Sequence, residues 1–223
     1  MRAASDLCPA YVDAVIFDVG HVLYDWDIRY LYQKLISDRH RLDWFLDSVV
    51  TREWHYQHDA GRPFEETSAE LIRRFPEERE LIAAYGPRWL ETIGEPIPGM
   101  IELVGEIAAA GIPLYGITNF SGEFWRLFRP TAPVFDLFED IVVSGVEKLT
   151  KPDAAIYVLA QQRFGVDPGR TLFIDDQPRN VVAAEAAGFL AHRFDGRAGV
   201  EARLIELGLF SEAAEAASGR VTL

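Results

Sequence analysis

Five short apolar runs, rich in β-branched and aromatic residues and set far apart along the chain, restrict its fold more than any other feature. They are Ala14–Phe17, Ile112–Ile117, Ile141–Val143, Thr171–Ile174 and, more weakly, Leu190–Phe194. A strand with one wet face alternates polar and apolar residues, and these do not. Continuous apolar runs suit a parallel sheet covered on both faces. Parallel neighbours need a crossover that returns over the sheet, usually a helix. Helical patterns follow the second, third and fourth runs, over Glu123–Phe128, Pro152–Phe164 and Pro178–Ala187. The alternation predicts an α/β fold built on a doubly wound parallel sheet. A chain of 223 residues suits one such domain, with room for a modest insertion.

The insertion is expected over 25–97, where no strand is evident. Ile28, Leu31, Tyr32, Leu35 and Ile36 fall at helical spacing, and Leu42, Phe45, Leu46, Val49 and Val50 repeat it. Thr67 and Glu70 have capping-box spacing and would open a further helix carrying Leu71, Ile72 and Phe75. The segment EPIPGM at 95–100 then breaks the helical pattern. This divides the chain into a core of 1–24 and 98–223 and a small all-helical subdomain of 25–97. An Ala/Glu-rich stretch, Ser211–Ala217, reads as a surface helix.

Charge and cysteine content narrow the partners. Thirty-five acidic against 22 basic residues give a net charge of −13, which repels polyanions and argues against nucleic-acid binding. The apolar stretch Ile107–Ile117 is broken by Gly111, Pro113 and Gly116, too short and interrupted for a membrane span. The start, MRAASDLCPA, lacks the apolar core of a signal peptide. The single Cys8 excludes an internal disulfide and a thiolate metal site. A cytoplasmic protein acting on a small molecule is expected, as a monomer or homodimer.

Open parallel sheets bind ligands beyond the carboxyl ends of their strands. The first run ends at Asp18, with Gly20 where the chain must turn. The second ends in 116-GITN-119, presenting the Thr118 hydroxyl and the amides of Asn119 and Phe120. Lys151 precedes Pro152 at a plausible first helical position, and the fourth run ends at Asp175 and Asp176. Singly, each has an ordinary structural explanation: an aspartate at a strand end is often a turn former or cap. Adjacent carboxylates are less easily explained so, because like charges side by side are unfavourable unless one faces a cation or water.

In this order the residues resemble the motifs of the haloacid dehalogenase-like (HAD) hydrolases. FDVGHVLYDWD, HDAGRPF, KPDAAIY and FIDDQPRN are similar to the branch containing bacterial sugar-phosphate phosphatases and the phosphatase domains of some epoxide hydrolases. The resemblance implies a Rossmann-like core with a helical cap placed after strand one. It makes Asp18 the nucleophile, Thr118 a ligand of the transferred group and Lys151 the charge balance. Asp18, the Gly20 carbonyl, Asp175 and Asp176 would hold Mg²⁺, with Gly20, His21, Thr118, Asn119, His55 and His58 facing substrate. The activity implied is hydrolysis of a small phosphorylated metabolite, such as a sugar phosphate, through an aspartyl-phosphate. Oxygen ligands suit magnesium, and a dianionic ester must be neutralised before a carboxylate can attack it.

One departure concerns the proton. Most phosphatases of that family carry a second aspartate two positions after the nucleophile as general acid and base, where this chain has Gly20. General acid–base catalysis contributes about 10²- to 10⁴-fold, so its loss slows turnover without abolishing it. His21, Asp25, His55, His58 or water are candidate sources. The same gap is found in metal-independent 2-haloacid dehalogenases of the family, and a weakly catalytic binding protein is a third possibility. The acidic pair speaks against the dehalogenase, because bare carboxylates beside an anionic substrate are unfavourable.

Overall fold

A computed structural model describes residues 12–210, so Cys8 and the helix expected over Ser211–Ala217 lie outside the described residues. In chain order the elements are β1 (Ala14–Phe17), β2 (Tyr24–Trp26), α1 (Ile28–Tyr32), α2 (Arg39–Ser48), α3 (Arg52–Asp59), α4 (Phe64–Arg74) and α5 (Arg79–Ala84). There follow β3 (Ile93–Pro96), α6 (Met100–Ala109), β4 (Leu114–Thr118), α7 (Gly122–Phe128), β5 (Asp140–Val143), α8 (Ser144–Glu147) and α9 (Ala154–Phe164). The remainder is β6 (Thr171–Asp175), α10 (Pro178–Ala186), β7 (Leu190–Arg193) and α11 (Arg197–Glu206). Among these no helix is long and apolar enough to cross a membrane.

All five expected runs enter one parallel sheet in the order β5-β4-β1-β6-β7. Strand β1 is central and fully buried, and its side chains divide between two cores. Val15 and Phe17 pack on the side of Leu103, Val104 and Ile107 of α6, whereas Ala14 and Ile16 pack with Ile156, Tyr157 and Ala160 of α9. Burying each of the larger side chains is worth roughly 1.5–3 kcal/mol. Register then sets the site: Phe17 pairs with Gly116 and with Ile174, so Asp18, Thr118 and Asp175 emerge at one edge of the sheet.

The inserted segment departs from expectation in three ways. It is not strand-free, because β2 and β3 pair antiparallel and form a two-stranded stem where the chain leaves and rejoins the core. Helix α1 stops at Tyr32; Leu35 and Ile36 follow in a turn whose amides still donate to the Tyr32 carbonyl (3.0 and 2.8 Å), and Asp38 caps a new helix by accepting from the Arg41 N–H (2.7 Å). Thr67 caps nothing. Helix α4 begins at Phe64 after Pro63, and the Thr67 hydroxyl lies inside it, near the carbonyls of Pro63 and Phe64. In the core, Pro152 is not the first helical residue. Asp153 takes the capping position, accepting from the Ala155 N–H at 3.1 Å, so α9 starts at Ala154.

Where α3 ends, the insertion meets the sheet edge backbone to backbone. The Ser144 hydroxyl donates to the Asp59 carbonyl (2.6 Å) and accepts from the Phe120 N–H (2.9 Å), while the Gly145 N–H donates to the Phe120 carbonyl (3.0 Å). A Cβ at Gly145 would sit 2.6 Å from the Gly122 nitrogen, 2.8 Å from the Phe120 oxygen and 3.0 Å from the His58 oxygen. Only glycine fits that approach.

Candidate active site

Lys151 is the hub of the sheet edge. It is 1% exposed, and its Nζ lies 2.9 Å from Asp18 Oδ1, 2.6 Å from Asp175 Oδ2 and 2.8 Å from the Ile117 carbonyl. Asn119 fixes its backbone: the Lys151 N–H donates to Asn119 Oδ1 (2.8 Å) and Asn119 Nδ2 donates to the Lys151 carbonyl (3.0 Å). Burial opposes the ammonium charge, but the two carboxylates beside it prevail and hold the Lys151 pKa above its ordinary value.

The three acids have different surroundings. Asp175 is fully buried and saturated, accepting from Lys151, from the Gln177 N–H (2.8 Å) and from Asn180 Nδ2 (3.0 and 3.1 Å). Asn180 is in turn anchored, its carbonyl accepting from the Tyr157 hydroxyl at 2.9 Å. Asp176 is only partly buried and lines a cavity, with the Gln177 side-chain amide as its donor. Asp18 accepts from the Val19 N–H (2.7 Å) and Lys151 through Oδ1, leaving Oδ2 without a protein donor among the described residues. Burial pushes the Asp18 carboxyl up to about 7, a rise that Lys151 resists and Asp175 reinforces.

Two carboxylates, Asp18 and Asp175, therefore share one ammonium, and Asp176 stands beside them. Oxygen atoms of Asp18, Asp175 and Asp176 lie within 4.8 Å of one another. With Lys151 counted, two negative charges are uncompensated, and the donors are all oxygens. This set fits a hard divalent cation, and Asp176 and Asp18 have the oxygens least committed to protein donors.

Above the acids is a cavity of about 240 Å³, enough for a small molecule. Asp18, Lys151 and Asp176 line one part of it, and Asp59, His55 and Arg52 of α3 another. Much of the remaining wall is aromatic: Tyr24, Trp26, Trp89, Phe120 and Phe128. Gly20 and His21 face it as well. A Cβ at Gly20 would meet nothing within 4 Å, and its backbone is not left-handed. His21 adopts φ 59° and approaches Asp25 at 3.7 Å, with both side chains about two-fifths exposed. Asp25 is engaged by the Tyr30 hydroxyl and the Trp26 N–H and is not part of the wall.

The two histidines of α3 separate. His55 lines the cavity, its Nδ1 2.6 Å from the Tyr85 hydroxyl and its ring 4.6 Å from that of Trp26. His58, expected to face substrate, does not. It is 1% exposed, its Nε2 is 2.6 Å from the Thr67 hydroxyl, and its ring packs among Trp54, Phe64, Tyr85 and Phe124. Burial leaves both rings neutral, pushing His55 down to about 3 and His58 to about 4. Thr118 ends β4 at 1% exposure, and the wall at that strand end is formed by Asn119 and Phe120. Asp59, Arg52 and Arg179 join the cavity without having been singled out from the sequence. The one sequence signal for Asp59 is its position four residues after His55, at the end of a helix.

Comparison with known proteins gives relatives in both sequence and fold. A sesquiterpene phosphatase of Aspergillus oryzae is 27% identical over 180 residues, 79% of this chain and 87% of its own. A phosphoglycolate phosphatase of Yersinia pseudotuberculosis is 28% identical over 142 residues, 64% of this chain and 57% of that one. Among solved structures, a HAD family enzyme of Bacteroides thetaiotaomicron, determined with magnesium and inorganic phosphate, superposes with a TM-score of 0.64 at 19% identity, covering 83% of this chain and 95% of the other. The family model for haloacid dehalogenase-like hydrolases matches residues 12–188, and the chain belongs to that family.

Proposed function

We propose that the protein is a Mg²⁺-dependent hydrolase of small phosphomonoesters. The observation that carries this reading is the cluster of Asp18, Asp175 and Asp176, whose oxygens lie within 4.8 Å of one another while a single buried ammonium pairs with only two of them, a charge balance that calls for a cation. Magnesium bound there would neutralise phosphate oxygens and lower repulsion between two anions. Asp18 Oδ2, free of protein donors among the described residues, is the nucleophile, and an aspartyl-phosphate divides the reaction into transfer and hydrolysis. Lys151 holds Asp18 in place and offsets charge, and Asp176 is the more accessible metal ligand. A metal-independent dehalogenase would leave the acidic trio uncompensated.

The helical segment of 25–97 acts as a cap, and the two-stranded stem is where it moves against the core. Its contribution to the cavity bears on substrate. Trp26 and Trp89, with Phe120 and Phe128 of the core, offer apolar surface, which supports a phosphomonoester with an apolar alcohol portion over a heavily hydroxylated sugar. Phosphate release is to be measured across terpenyl, aryl and sugar phosphates and 2-phosphoglycolate, with Mg²⁺ and again with EDTA. Magnesium-dependent release is expected; release unaffected by EDTA, or none from any ester, overturns the reading.

A further inference from the structure

Gly20 leaves the reaction without the acid that its backbone position would otherwise provide, and the cavity contains one other carboxyl outside the metal cluster. That carboxyl is Asp59. It lines the same cavity as Asp18 and Lys151, is 7% exposed, and its backbone is fixed to the sheet edge by the Ser144 hydroxyl (2.6 Å). Its Oδ1 is buried without a hydrogen-bond partner, and its Oδ2 lies 3.4 Å from His55 Nε2. His55 is held from its other nitrogen by the Tyr85 hydroxyl at 2.6 Å. A buried carboxylate with an unpartnered oxygen and, among the described residues, no lysine or arginine within ion-pair distance is costly, whereas a carboxylic acid is tolerated.

We propose that Asp59 is the general acid and base of this enzyme, acting from the cap in place of the side chain that Gly20 lacks. The inference rests on the phosphomonoesterase reading above. In the first half, an Asp18 oxygen bonds to phosphorus, the bond from phosphorus to the alcohol oxygen breaks, and that oxygen takes the Asp59 proton. In the second half, a water oxygen bonds to phosphorus as the Asp18–phosphorus bond breaks, and one water proton returns to Asp59. Alcohol and phosphate leave, and both aspartates are restored. The ionisable groups facing Asp59 are His55 on its own helix, Tyr85 after α5, and Asp18 after β1. Burial pushes Asp59 up to about 8, a rise that the Ser121 backbone N–H resists and the Asp18 charge reinforces, and burial keeps His55 neutral, so the pair meets at pH 7 as an uncharged acid and an uncharged imidazole.

The test separates proton transfer from all else. Asp59→Asn is compared with the wild type on an alkyl phosphate, whose alkoxide must be protonated, and on 4-nitrophenyl phosphate, whose phenolate leaves without a proton. Single-turnover cleavage of the alkyl ester is expected to fall about 10²- to 10⁴-fold, and the nitrophenolate burst at least tenfold less than that. Phosphoenzyme then accumulates, because its hydrolysis lacks a base. Gly20→Asp in the Asp59→Asn background, placed where a Cβ meets nothing within 4 Å, restores alkyl phosphate cleavage at least tenfold. Independently of activity and metal, infrared difference spectra at pH 7 show a protonated-carboxyl band in the metal-free wild type that is lost in Asp59→Asn. Equal losses on the two esters, an alkyl rate within threefold of wild type, or the leaving-group-dependent loss in His21→Gln instead overturns the assignment; so does the absence of the infrared band. A wild type inert toward every phosphate ester refutes the phosphatase reading, and the Asp59 role with it, and is distinguished by the wild-type rate itself.

Discussion

Replacing Lys151 with Met removes one charge and little volume from the centre of the sheet edge. The Lys151 ammonium bonds Asp18, Asp175 and the Ile117 carbonyl from a site 1% exposed, so Met leaves two buried carboxylates facing each other and a carbonyl without its donor. Removing one partner of a buried ion pair costs about 3–5 kcal/mol. For a chain of this length each kcal/mol moves the melting temperature by roughly 2–4 °C, giving a fall of about 6–20 °C at pH 7. The sign of the pH dependence follows. Burial already pushes the Asp18 carboxyl up to about 7 against the opposing Lys151 charge; without that charge it rises further, so the variant's native state binds the extra proton and its deficit narrows as pH falls from 8 to 5. Mg²⁺ replaces the missing charge and stabilises the variant more than the wild type. Thermal melts at pH 5, 6.5 and 8, with EDTA and with Mg²⁺, are the assay. A shift under 2 °C at pH 7, or a deficit that widens on acidification, refutes this account.

Asp18→Asn keeps the fold and eliminates turnover, because an amide is a poor nucleophile; more than a few per cent of the wild-type rate, beside an unchanged circular dichroism spectrum, refutes it. By calorimetric titration Asp176→Asn weakens Mg²⁺ binding more than Asp175→Asn does, since Asp176 faces the cavity; denaturant melts order the two the other way, since Asp175 is saturated by Lys151, Gln177 and Asn180. Equal effects in both measurements refute the distinction. His58→Ala lowers stability by about 1–3 kcal/mol through its aromatic surroundings and the Thr67 hydroxyl it leaves behind, with little change in KM. His55→Ala raises KM for substrates that reach the aromatic wall, as steady-state kinetics will read.

The core was legible because burial on two faces leaves an imprint on each strand by itself. Ala14–Phe17 and Thr171–Asp175 needed no partner to be recognised, and the residues that follow them inherit the sheet edge as their location. The acids and Lys151 were accessible by the same route. The stem strands were not, because Tyr24–Trp26 and Ile93–Pro96 contain Gly94 and Pro96, have no alternation, and exist only by pairing with each other across the whole insertion. Asp59 was hidden for a related reason: nothing in HDAGRPF distinguishes a solvated aspartate from one pressed against the ends of β4 and β5. Likewise His55 and His58, three apart on one helix, differ only in what covers them, a cavity for one and Trp54, Phe64 and Phe124 for the other.

The glycine contact between α3 and the sheet edge also limits how the two halves can part. Gly61 and Gly145 bring main chain onto main chain there, with a Cβ at Gly61 only 2.9 Å from the Gly145 oxygen, and the Ser144 hydroxyl ties the same point to Asp59. Main-chain atoms this close leave no room for a side chain to enter, so the seam holds the end of α3 tightly against the segments that follow β4 and β5. Asp59 stands at that seam, its backbone tied through one hydroxyl to the end of β4, so whatever passes through the cavity meets this carboxyl at a fixed place.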